Sequence, residues 1–175
     1  MKKYTIILLS LILVLSACSK KRKFEQIKGL DLFDENAAPA GTLGDTDDYF
    51  KDAEFQLTAF PVPAVNMQYL YFTNTSAKNR TYQVKIVSAY FKNAPDFIPK
   101  TQWFEYSGLA GREINVDNLG GKPEDVHFST ELTINAGSHY NFAVDLSRFE
   151  EGFYKVIVDA DGGGRYTRSL WVLRR

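Results

Sequence analysis

Hydrophobic and polar residues first alternate cleanly where Phe55, Leu57 and Ala59 interleave with Glu54, Gln56 and Thr58. That is the period of a strand with one buried face, and Pro61 and Pro63 end it. A second strand is predicted over 65–73, rich in Tyr and Phe, and Asn74-Thr75-Ser76 closes it with side chains that favour turns. The third runs over 80–91, with Tyr82, Val84 and Ile86 on one face and Gln83 and Lys85 on the other. Residues 93–100 carry Pro95 and Pro99 and are excluded from a central strand. Short strands are read over 102–106 and 112–117, parted by Gly108 and Gly111, and 118–123 is a loop by composition.

Two hairpins follow. Val126, Phe128, Leu132 and Ile134 mark one strand, Asn135-Ala136-Gly137-Ser138 turns the chain, and Tyr140, Phe142, Val144 and Leu146 mark the return. Tyr154, Val156 and Val158 then lead through Asp161-Gly162-Gly163-Gly164 into 166–173. About eight short strands, with turn signals between them and no amphipathic helix of useful length, predict an all-β antiparallel sandwich over 51–175. A closed barrel is the second architecture that fits. The run Glu150-Glu151-Gly152-Phe153-Tyr154-Lys155-Val156 resembles the tyrosine corner of immunoglobulin-like and fibronectin-like domains. The resemblance implies that Gly152 and Tyr154 form a structural corner, with the Tyr154 hydroxyl bonded back to backbone within 144–149. Val156 stands where antibody domains place a cysteine, so the antibody type itself is excluded.

The N-terminus has a different pattern. Lys2 and Lys3 precede an apolar run over 5–14, and Leu15-Ser16-Ala17-Cys18 follows. The run falls short of the roughly 20 apolar residues that a membrane-spanning helix needs. It has the charged, apolar, small-residue order of a secretory signal, and the four residues resemble a bacterial lipobox. The resemblance implies cleavage of 1–17, acylation of Cys18 and attachment to the membrane through several acyl chains, since one chain binds weakly. Resemblance to proteobacterial lipoproteins, in which Asp after the cysteine is the usual retention signal, further implies that Ser19 at that position directs sorting to the outer membrane. Residues 18–50 are then expected to be a flexible tether. Lys20, Lys21, Arg22 and Lys23 open it, an acidic stretch from Asp31 to Asp48 follows, and Ala37-Ala38-Pro39-Ala40-Gly41 has linker composition. The basic block suits anionic headgroups or simple solvation equally well.

Charge and cysteine content narrow the function classes. The chain has 21 basic and 21 acidic residues, and loss of Lys2 and Lys3 leaves 19 basic, so nothing suggests nucleic-acid binding. Cys18 is the only cysteine, and no internal disulfide can form. His127 and His139 are the only histidines, with no metal-binding helix around either; both read as structural or surface residues, and no metal or cofactor is expected. Asp159-Ala160-Asp161-Gly162 has part of a calcium-loop pattern but reads better as a Gly-rich hairpin turn.

Trp103, Phe104 and Tyr106 are the candidate binding residues. Trp103 and Phe104 point to opposite faces of a strand, so one of them lies outside the core. No nucleophile elbow or metal motif is present, and carboxylate pairs depend on proximity that the sequence does not show. The sequence thus predicts a non-catalytic, lipid-anchored envelope protein whose sandwich binds or braces a partner protein. A carbohydrate-binding module is the alternative, and a glycan-active hydrolase stands third.

Overall fold

The computed structural model describes residues 25–45, 54–92, 94, 96–97, 100, 111, 113 and 125–173. Ten strands lie in this part of the chain: β1 Glu25–Ile27, β2 Gly29–Phe33, β3 Pro39–Gly44, β4 Phe55–Phe60, β5 Met67–Asn74, β6 Arg80–Phe91, β7 Val126–Ile134, β8 His139–Asp145, β9 Gly152–Ala160 and β10 Arg165–Val172. One sheet has the order β4-β5-β8 and the second β6-β9-β10, with β7 and β1 both pairing β6. All of these pairings are antiparallel except the parallel β1–β6. Alternation places Phe55, Leu57, Leu70 and Phe72 of the first sheet against Tyr82, Val84, Ile86, Tyr154, Val156 and Val158 of the second, all buried. Phe55, the first residue of β4, packs across to the second sheet, with its ring centre 4.6 Å from that of Tyr82 and 4.7 Å from that of Tyr166. This is an immunoglobulin-like sandwich in which β7, the fourth strand counted from β4, joins the sheet of β6 instead of the sheet of β4 and β5.

The expected hairpin of β7 and β8 is corrected. Asn135–Ser138 does reverse the chain, but β7 pairs β6 while β8 pairs β5, so the connection crosses between the sheets. Asn74 explains why the crossing holds. Its buried amide donates to the carbonyls of Lys78, Ile134 and Asn135 at 2.8, 3.0 and 3.2 Å, and its oxygen accepts from the Ser76 amide and hydroxyl. One side chain thus ties the end of β5 to the end of β7, saturating its own hydrogen-bonding capacity in the process. The hairpin of β9 and β10 forms as expected, from Arg165 opposite Asp159 to Val172 opposite Gly152.

The tether expected over 18–50 is also corrected. Within it, 25–44 contains β1, β2 and β3, with Ile27, Leu30, Leu32 and Leu43 buried in the common core. Leu30 pairs with Leu43 across the β2–β3 hairpin, and Asp34 turns the chain by accepting from the amides of Asn36 and Ala38, each at 2.8 Å. Gly44 adopts φ +70°, and a Cβ there would lie 2.4 Å from the Lys28 carbonyl and 3.1 Å from the Phe91 ring. Arg168 of β10 holds β2 to the sandwich through Asp31 at 3.0 Å, with its guanidinium 5.7 Å from the centre of the Phe33 ring.

Candidate functional site

The outer face of the β4-β5-β8 sheet is a surface built by period two. On β5, Leu70 and Phe72 turn inward and Tyr69 and Tyr71 outward, 45% and 36% exposed. Register sets Phe60 opposite Tyr69, and Thr58 and Asn141 on either side of Tyr71. Phe60 and Tyr69 stack at 5.6 Å and 21°, and Tyr71 and His139 at 5.6 Å and 14°. Cross-strand stacks of this kind hold their rings in place. Gln56, Thr58, Thr73 and Asn141 share the face, so apolar area alternates with hydrogen-bonding groups. Asp145 lies at its rim. The Ser147 amide, 2.8 Å from the carboxylate, with the Ser147 hydroxyl and then Arg148, holds its pKa below the ordinary value.

The tyrosine corner sits at one end of the sandwich. Tyr154 is fully buried and its hydroxyl donates to the Glu150 carbonyl at 2.8 Å, one residue beyond the 144–149 stretch expected. Gly152 opens β9 opposite Val172. His127 packs edge-on against Tyr154 at 5.1 Å and beside Phe149 at 5.3 Å, and its Nε2 lies 2.8 Å from Ser88 Oγ. Burial lowers its pKa below 6.5, while Asp125 and Glu150 pull the other way. Ser88 is completely buried, so this Ser–His pair has no surface at which to attack a substrate. His139 lies in the other sheet, stacked on Tyr71.

The turn after β9 lines a polar depression of about 110 Å³ with Glu54, Arg80, Tyr82 and Tyr166. Arg80 lies 3.6 Å from both Glu54 and Asp161, Asp161 also accepts from the Thr81 amide at 3.1 Å, and Asp159 lies 3.8 Å from Arg165. The carboxylates therefore face arginines and backbone, which leaves the turn reading of this segment in place. Among the described residues no group of three His, Cys, Asp or Glu side chains is arranged to hold a metal.

Cys18, Trp103, Phe104 and Tyr106 lie outside the described residues, as do the strands expected over 102–106 and the loop over 118–123. The Tyr69 and Tyr71 face was not among the sequence candidates. Its signal was the strict Tyr-Leu-Tyr-Phe alternation of 69–72, in which one aromatic set has to point away from the core.

No protein-family model matches the chain, and no curated protein matches it. Among solved structures it is similar to the CARDB domain of a Pyrococcus furiosus protein crystallised with di-metal ions. That match has 9% identity and a TM-score of 0.35, and covers 74% of this chain and 99% of that one. It is also similar to part of a β-glucosidase from Listeria innocua in complex with glucose, at 14% identity and a TM-score of 0.32, over 71% of this chain and 17% of the enzyme. These likenesses concern fold alone. The strand pairing itself defines an all-β, immunoglobulin-like β-sandwich.

Proposed function

We propose that this chain is a lipid-anchored bacterial envelope protein, attached through Cys18 at the outer membrane, whose sandwich is a non-catalytic module that binds a partner protein. The observation that carries the reading is the exposed, pre-stacked face around Tyr69 and Tyr71. Tyrosine gives large, rigid contact area with a hydroxyl at its tip, and interface hot spots are rich in it. Each ring already presents one side to its stacking neighbour, which favours a protein surface interlocking with the face over a sugar ring laid flat upon it.

The test places a photo-activated cross-linking residue at Asn141, within the face, and at Gln83, on the opposite side of the sandwich, in the full chain in its native envelope. A protein adduct from Asn141 and none from Gln83 is expected. An adduct to glycan alone, or equal adducts from both positions, would contradict the reading. Placement at Trp103 and Phe104 extends the same test to the second aromatic segment.

A further inference from the structure

The distance between the lipid and the folded domain follows from where the first strand begins. A tether over the whole of 18–50 would reach about 110 Å, but Glu25 is already fixed in the sandwich, and the seven steps from Cys18 to Glu25 span at most about 25 Å. Glu25 is also fixed to one particular face. Tyr154 points into the core, so the next residue, Lys155, points outward from β9, and Arg165, opposite Asp159, does so from β10. Both hold the start of β1: Lys155 Nζ donates to the Gln26 carbonyl at 2.7 Å and lies 3.8 Å from Glu25, and Arg165 lies 3.2 Å from Glu25. The chain therefore reaches the domain on the outer face of the β6-β9-β10 sheet, on the far side of the sandwich from Tyr69 and Tyr71.

We infer that the outer face of the β6-β9-β10 sheet is turned toward an anionic lipid surface within about 25 Å, and that the Tyr69 and Tyr71 face points away from it. The inference rests on the lipid-anchor reading. Four of the six residues between the lipid and Glu25 are basic, Lys20, Lys21, Arg22 and Lys23, so the connecting segment itself is attracted to anionic headgroups and shortens the separation further. The module is thus set close to the membrane with its binding face outward, available to a partner approaching from the aqueous side.

The experiment uses the full lipidated chain in phosphatidylethanolamine and phosphatidylglycerol vesicles whose headgroups carry an energy-transfer acceptor. The lipid occupies the sulfur of Cys18, so Gln83→Cys or Asn141→Cys supplies the sole free thiol for the donor; both sites are exposed, on opposite outer faces. With sheets about 10 Å apart and the two labels pointing away from each other, donor quenching should be at least about twofold stronger from Gln83→Cys. Insertion of about 30 Gly and Ser residues after Lys23 should weaken quenching at both sites and remove the difference. Equal quenching without the insertion, or stronger quenching from Asn141→Cys, in protein that floats with the vesicles would overturn the orientation. Absence of an acyl mass on the Cys18 peptide would overturn the anchor reading beneath it, a result separable from the first.

Discussion

The Tyr154 hydroxyl donates at 2.8 Å to the carbonyl of Glu150, four residues earlier, bracing the entry into the strand at the centre of the second sheet. The ring is fully buried against His127 and Phe149, so the hydroxyl gains its partner only in this geometry. Tyr154→Phe keeps the packing and removes the bond, and should cost about 0.5 to 1.5 kcal/mol in urea unfolding. Tyr69→Phe, at an exposed ring, serves as control and should change stability less. Equal loss from the two would deny the corner its role.

The N-terminal strands should be needed for the fold's stability. Leu30 and Leu32 are buried, and replacing either with Ala should cost about 2 to 5 kcal/mol. A chain beginning at residue 24 should melt like the mature protein, whereas one beginning at 51 should lose several degrees or fail to fold. If both truncated chains melted alike, the β1–β3 segment would be a dispensable attachment.

The reach of the sequence ended where periodicity was diluted by small or charged residues. The bounds of β6 and the β9–β10 hairpin were legible because Tyr82, Val84, Ile86, Tyr154, Val156 and Val158 alternate without interruption between clear turn signals. Leu30 and Leu32 carry the same period over only one repeat and Leu43 stands alone in β3, while Gly29, Gly41, Gly44 and the acidic residues around them have linker composition, and only a tertiary contact such as Arg168 with Asp31 gives them a place. Asn135-Ala136-Gly137-Ser138 specifies a reversal and not which sheet receives the next strand; that choice is made by Asn74, sixty residues away from Ile134. For the candidate site, Tyr69 and Tyr71 are indistinguishable by type from the buried aromatics beside them, and exposure depends on which face of β5 the core takes.

Stability should depend on pH through His127. Burial keeps its folded pKa below the ordinary 6.5, so as pH falls through that value the unfolded chain takes up a proton that the folded one resists. Stability contributed by the neutral imidazole is therefore complete above the unfolded value and declines toward acid. Between about pH 7.5 and about pH 5.5 the wild type should lose more stability than His127→Gln in urea melts. Parallel curves would show that this imidazole is not coupled to folding.

Cys18→Ala should release the protein from membranes or leave its signal uncleaved, because the change removes the only sulfur available for acylation. Fractionation of cell envelopes, with the mass of the chain, reads both outcomes. A variant of mature mass that still sedimented with membranes would contradict lipid anchoring.

The most direct measurement is the affinity of the cross-linked partner, once purified, for wild-type protein and for Tyr69→Ala and Tyr71→Ala. Both rings are part-exposed, so the loss of a cross-strand stack should cost the fold only about 0.2 to 1 kcal/mol. Each substitution should nevertheless weaken binding by about 2 kcal/mol, roughly thirtyfold in Kd, as expected of interface anchors. Unchanged affinity in both variants, with urea midpoints close to wild type, would show that this face is not the binding surface.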